Sequence, residues 1–203
     1  MKDLDMEKAS FTLPKFMEKY LGEIKNISGF VLKEPFDELL ILSFNSPVEG
    51  VRTYSTLGLS KIDLYYEKEG ERFPLKEEIM FGTKHTEGDD ESIYQRMLTA
   101  VVEFSFQKNR RILKRGDIIN INDDIVIGTK MSAFYVCNPV AYTDNDALVY
   151  KESKPYTVFL WLIPIYESER LFIEKNCWNC FEELLEKKDP DLFDLQREAL
   201  CPV

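Results

Sequence analysis

Apolar positions along the chain change period several times, and each change marks an element. Between Asp5 and Ile24, the residues Phe16, Met17, Tyr20, Leu21 and Ile24 recur at three- and four-residue spacing, the period of one helix face. Pro14 falls near the start of that helix or kinks it, because its ring removes a backbone donor and crowds the preceding turn. From Ile27 the pattern shortens. Gly29–Glu34, Leu39–Phe44 and Val51–Leu59 are runs rich in β-branched and aromatic residues, bounded by Pro35, by Asn45-Ser46-Pro47 and by Gly58, and they predict strands. Glu67–Glu71 (EKEGE) predicts a hairpin tip and Glu78–Gly82 a further strand. The acidic turn Thr86–Glu91 (TEGDDE) precedes the clearest helix, Ser92–Phe106. Asp89 or Asp90 is placed to cap it, since a carboxylate accepts the free amide hydrogens of a first turn. Ile93, Met97, Ala100, Val101 and Phe104 form its expected apolar stripe, widened by Tyr94, Leu98 and Val102.

In the second half, Ile118–Ile121, the turn Asn122-Asp123-Asp124 and Ile125–Ile127 read as a hairpin. Ala133–Cys137 and Thr157–Ile163 predict strands, and the unbroken apolar run of the second predicts a central strand buried on both faces. Glu167–Lys188 is helical in period, with Leu171, Phe172, Cys177, Phe181, Leu184 and Leu185 apolar; Asp189-Pro190 ends it, because proline disfavours helix in the residue before it. Asp191–Leu200 is a short last helix or a tail. No repeat and no linker divides the 203 residues, so the expectation is a single domain: a helix over 5–24, a core over about 27–188 and a tail over 189–203.

Fourteen Phe and ten Tyr supply enough apolar area to offset chain entropy, which excludes a disordered chain. The 36 acidic residues outnumber the 26 basic ones, for a net charge of −10. That balance argues against a nucleic-acid binder, which needs clustered cations to neutralise phosphates, and suits a basic partner. The longest apolar stretch, Tyr156–Tyr166, is interrupted by Pro164 and is shorter than the roughly 20 residues of a spanning helix. Asp3 and Asp5 stand where a signal peptide would carry its apolar core, and four cysteines do not make a disulfide framework. The expectation is a soluble cytoplasmic protein with free thiols and no membrane contact.

Little in the chain carries catalytic chemistry. A single histidine, His85, excludes multi-histidine zinc sites. Neither a G-x-S-x-G elbow nor a glycine-rich phosphate cradle is present. No catalytic residue, cofactor site or metal ligand is assigned, and no enzyme activity is expected. Lys108–Arg115 carries five positive charges and reads as a solvated helix end. Cys177-Trp178-Asn179-Cys180 has two readings. In a continuous helix the two cysteines lie one turn apart on the apolar face and pack. If the helix breaks at Asn176, they open a new helix, where the dipole lowers a thiol pKa and redox chemistry follows. The helical residues that precede the pair favour packing.

Two segments carry a resemblance. Val51–Ser60 (VRTYSTLGLS) is similar to a strand ending in a T-x-G-[LMF]-S turn, and Phe159–Glu169 (FLWLIPIYESE) to a late strand closing in a P-[IL]-[YT]-x-x-E step into a helix. Between them, Asp117–Pro139 is similar to paired strands with Gly128-Thr129-Lys130-Met131-Ser132 in the turn. In this order, from about Ile27 to Lys188, the chain resembles the suppressor-of-fused-like domain family, in its bacterial single-domain type. It departs from the family where Ile118-Ile119 replace a frequent histidine. The resemblance implies an α/β (α+β) fold, a mixed, mostly antiparallel sheet with helices packed on its faces, in which Tyr54, Thr56, Gly58, Pro164 and Glu169 are structural. It also implies a non-catalytic role. The animal member is a cytoplasmic repressor that grips a transcription-factor peptide as an added strand; short bacterial members look like immunity proteins that neutralise polymorphic toxins. The expected function is therefore an immunity- or antitoxin-like protein-binding module without cofactors. Its partner would be a protein such as a basic toxin domain, met through Glu87, Asp89, Asp90 and Glu91 and through the acidic stretch after Glu167. The alternative is an enzyme, either a thiol oxidoreductase using Cys177 and Cys180 or an unrecognised hydrolase.

Overall fold

A strand that is apolar on both sides must be covered on both sides, and the chain is built around that requirement. The computed structural model describes residues 3–32, 38–86, 88–106, 112–121, 129–145 and 147–201. Among them are four helices, α1 (Asp3–Leu21), α2 (Glu91–Phe106), α3 (Glu167–Asn176) and α4 (Trp178–Lys188). The strands are β1 (Glu23–Val31), β2 (Glu38–Asn45), β3 (Val51–Leu57), β4 (Leu64–Lys68), β5 (Glu71–Lys84), β6 (Ile118–Asn120), β7 (Met131–Cys137), β8 (Leu148–Tyr150) and β9 (Thr157–Tyr166). They form one sheet of order β1-β2-β3-β5-β9-β7-β6, with β4 added to β5 and β8 to β9. The fold is α+β and the pairing mostly antiparallel. The one parallel pair among the described strands joins β5 to β9, in register from Lys76 opposite Thr157 to Met80 opposite Trp161.

Each face of the sheet has its own core. On one side α2 lays Leu98, Val101, Val102 and Phe106 over Leu39, Ile41, Tyr54, Phe81, Leu160 and Leu162. On the other, α1 contributes Leu13, Met17 and Leu21, and α3 and α4 contribute Ile173 and Phe181, over Leu42, Phe44, Phe159, Trp161 and Ile163. Strand β9 alternates between the two cores and is buried on both faces, as its unbroken apolar run implies.

Several sequence expectations move. Ile24 lies in β1, not in the first helix, which ends at Leu21; Pro14 lies inside that helix. On α2 the buried face takes Met97 and Val101 from the expected stripe together with Leu98 and Val102, which widen it, while Phe104 is 66% exposed and Ala100 faces solvent. Tyr94 packs its ring, tilted, against Tyr54 and Phe81 at 5.3 and 5.7 Å, which turns the helix so that Phe104 and Ala100 fall on the outer side. Ile125–Ile127 and the preceding Asn122-Asp123-Asp124 lie outside the described residues; β6 pairs with β7. The hairpin tip expected at EKEGE is present, with positive φ at both Glu69 and Gly70. Residues 191–200 form turns and not a helix.

The largest correction concerns the helix expected over Glu167–Lys188. It breaks at Cys177, whose φ is 128°. The Cys177 N–H closes α3 on the Ile173 carbonyl, the Asn176 side chain donates to the Phe172 carbonyl, and the Cys177 carbonyl accepts from Phe181 N to open α4. The two helices keep the same apolar spacing on either side of the break, so periodicity carries no trace of it.

Phe159→Ala empties one core and Leu160→Ala the other. Each is expected to cost about 2–5 kcal/mol through lost burial and a cavity. Urea denaturation of the two variants checks it: a loss under about 1 kcal/mol for both contradicts a doubly buried β9.

Candidate functional site

The residues that carry the family resemblance are organised around two buried carboxylates. Strand β5 brings Glu78 under the turn that follows β3. Its Oε2 accepts the Thr56 hydroxyl (2.6 Å), and its Oε1 accepts the N–H groups of Gly58 (3.0 Å) and Ser60 (3.1 Å). Thr56 Oγ1 in turn accepts the Ile79 N–H. The T-x-G-x-S spacing thus presents a hydroxyl and two amides to one carboxylate. Gly58 is needed because its φ of 123° is one that side chains rarely adopt. Burial raises the Glu78 pKa above its ordinary 4.5, against the lowering effect of these hydrogen bonds. Its neighbour Glu77 is also fully buried and accepts the Leu113 N–H, and burial pushes its pKa well up.

Glu169, the third residue of α3, is the second carboxylate. It accepts the Tyr166 N–H (2.9 Å), the returning half of a capping box, and the Leu200 N–H (2.9 Å). The Arg197 guanidinium grips both of its oxygens, at 2.6 and 2.8 Å, and also donates to the Pro164 carbonyl (3.1 Å). The C-terminal segment is thereby fastened across the start of α3. Tyr54, whose ring is wholly buried, completes the set. All five motif residues stand inside or under the sheet.

The acidic residues expected to meet a partner sit elsewhere, at the entry to α2. Glu87 lies outside the described residues. Asp89 accepts the N–H and hydroxyl of Thr86, and Asp90 accepts the Ser92 N–H; these bonds lower both pKa values. Asp90 is exposed. Glu91 is different. It pairs with the buried Arg52 (3.2 Å) and accepts from Ser43, so it anchors the loop to β2 and β3. His85 lies 3.6 Å from Asp89.

A cleft of about 440 Å³ opens between β7, β9, α4 and residues 189–192. Glu182 on its wall receives the Arg115 guanidinium and the Tyr135 hydroxyl (2.6 Å), and burial raises the pKa of Tyr135 and of Cys137 beside it. The packing expected for the C-x-x-C is absent: Cys177 is exposed and Cys180 half-buried. Among the described residues no group of three or more His, Cys, Asp or Glu gathers as a metal cluster would, and no helix is long and apolar enough to cross a membrane.

The family model for Suppressor of fused protein (SUFU) matches residues 36–198, a span that contains both carboxylate sites. The chain belongs to the suppressor of fused family. It is 27% identical over 156 residues to immunity protein YqcF of Bacillus subtilis (strain 168), covering 77% of this chain and 78% of that protein. A suppressor of fused homologue from Neisseria gonorrhoeae FA 1090 superposes with a TM-score of 0.71 at 15% identity, covering 96% of this chain and 97% of its own. The protein in the Sufu–Fu complex crystal structure gives 0.65 at 14% identity, with 96% and 91% covered. Drosophila suppressor of fused also gives 0.65 at 14%, and this chain spans half of it. At these identities the structures share the fold.

Sequence reasoning singled out Thr56, Gly58, Pro164 and Glu169 but missed Glu78 and Arg197, the groups that bond to them. Two acids at the mouth of an apolar run, Glu77-Glu78-Ile79-Met80-Phe81, were a usable signal; nothing in the spacing marks Arg197.

Glu78→Ala should cost about 2–4 kcal/mol, because it strands a hydroxyl and two amides. Glu78→Gln should cost less than about 1.5 kcal/mol, since its amide can face Thr56 while the Thr56 hydroxyl turns to the Ile79 carbonyl. A carboxyl whose folded pKa is raised stabilises most below its unfolded value and less as pH climbs through the folded one. The stability of the wild type relative to Glu78→Gln should therefore fall as pH rises from about 4.5. Urea midpoints across pH read this directly. Arg197→Ala leaves Glu169 buried and unpaired and should cost about 3–5 kcal/mol in the same assay.

Proposed function

We propose that this protein is an immunity-type binding module that neutralises a toxin by stoichiometric association in the cytoplasm, without turnover. The observation that carries the reading is the likeness to immunity protein YqcF, which extends over most of both chains. The architecture supports it. The residues that carry the family resemblance hold a turn, a helix start and the tail, and the exposed acidic residues stand apart from them. A suppressor of fused structure is also known as a complex with another protein.

The partner is a protein of basic character. A net charge of −10 raises the encounter rate with a cationic surface. Asp89 and Asp90 present charge at the entry to α2, while Glu91 holds that loop in place through Arg52; Glu87 is a further acid of the same sequence stretch. The stretch from Glu167 to Val203, with ten acids against five bases, adds a second acidic region.

The test is co-expression with a toxin encoded beside it in its own genome. Protection of growth and a 1:1 complex by light scattering are expected. Association should slow as salt rises, because exposed charges are screened beyond about 8–10 Å near 0.1–0.15 M. Replacing Glu87, Asp89 and Asp90 by their amides should lower the association rate about three- to tenfold and leave dissociation nearly unchanged. Protection without a complex, or turnover of a small molecule lost on one point mutation, overturns the reading.

A further inference from the structure

One cluster has a chemistry that neither the scaffold nor the acidic surface uses. Cys177 and Cys180 stand at the α3–α4 corner with Cys177 exposed and Cys180 half-buried. Their sulfurs are 3.1 Å apart, already in contact and about 1 Å from bonding distance. The corner is held by groups other than the cysteines. Trp178, between them, seats on Gly116, where a Cβ would come within 2.8 Å of the indole. The Arg115 guanidinium lies over that ring at 5.1 Å and is itself held by Glu182. Cys177 precedes the first turn of an eleven-residue helix and Cys180 closes that turn.

We propose that Cys177 and Cys180 form a thiol–disulfide exchange site for small solvent-borne disulfides, with Cys177 as the attacking sulfur and Cys180 as the resolving one. The Cys177 thiolate attacks one sulfur of a disulfide R–S–S–R. A Cys177–S–S–R bond forms, the substrate bond breaks, and one R–S⁻ leaves and takes a proton from water. Cys180 then loses its proton, attacks the Cys177 sulfur and expels the second R–S⁻. The two cysteines are oxidised to one disulfide, and the substrate is reduced to two thiols.

The order of attack follows from the surroundings. The amide hydrogen of Cys180, its thiol and the amide hydrogen of Asn179 lower the Cys177 pKa, with Glu183 opposing them. The hydrogen bond to Cys177 raises that of Cys180, so this thiol stays protonated until the mixed disulfide has formed. Cys137 is buried and Cys201 half-buried, and burial pushes both thiols up, so neither competes. The site does not rest on the binding reading: loss of exchange would leave toxin neutralisation untouched, and the reverse.

The test uses the reduced full-length chain, with oxidised glutathione as the probe, acid quenching and peptide mass mapping. The wild type should lose two thiols together and yield one peptide with Cys177 joined to Cys180. Cys180→Ser should stop at a glutathione adduct on Cys177, removable by dithiothreitol. Cys177→Ser should form its adduct at least about tenfold more slowly, as expected for a thiol without the lowered pKa. Circular dichroism checks that both variants fold, and the wild-type result stands without them. A first adduct on Cys137 or Cys201 overturns the proposal. So does a Cys177 that reacts no faster than the same cysteine in an unfolded peptide, or a wild type that carries glutathione on both cysteines and never closes the bond.

Discussion

The parallel pairing of β5 with β9 is the seam on which the rest of the molecule depends. On one side of it lies an antiparallel run of three strands from the first part of the chain, and on the other lie β7 and β6. A parallel pair cannot be closed by a tight turn and is stable only when both its faces are dry. The segment between β5 and β9 meets the first condition by carrying α2 across one face. The second is met on the opposite face by α1, α3, α4 and the tail. The two buried carboxylates of β5 sit within the seam, Glu77 opposite Val158 and Glu78 opposite Phe159. Each reaches out of the strand to a loop amide, so the seam also fixes the turn after β3 and the segment at Leu113.

What was legible in the sequence follows from this. The run Thr157–Ile163 could be read because a strand buried on both faces loses its alternation, and few other structures allow that. The motif Thr56-Leu57-Gly58-Leu59-Ser60 could be recognised, but its purpose could not, because the carboxylate it surrounds stands on another strand. On α2 the apolar residues Met97, Leu98, Val101 and Val102 were legible as buried, but Phe104 and Ala100 were not legible as exposed, because the helix is apolar over too wide an arc and its rotation lies with the aromatic rings of β3 and β5. The choice between a continuous helix and a break beside Asn176 could not be settled from period for a related reason. Helical period records which residues face inward and not the backbone dihedrals at one residue, so two helices separated by Cys177 look like one. Strand β8 has three residues, too few to show a period.

The acidic loop shows how scaffold and surface divide the work. Of the expected contact residues, Glu91 points inward to Arg52 and Asp90 stays outward, yet in sequence they are adjacent and alike. Glu91 lends its charge to the frame, and Asp90 keeps its own in solvent at the start of α2. Neighbouring acids of one loop thus divide into a structural one and a solvent-facing one, a difference that sequence spacing does not record.

The clasp between Glu169 and Arg197 spans 28 residues and closes late. On the ribosome, β9 and α3 emerge well before Arg197 does. Until then Glu169 has no counter-charge, and Trp161 lacks the stacked ring of Phe193. The nascent protein therefore passes through a stage in which the part of this core around Trp161 and Glu169 is uncovered, although β9 and α3 have been made. The last contacts of this core are thus made by the tail, through Phe193 and Arg197.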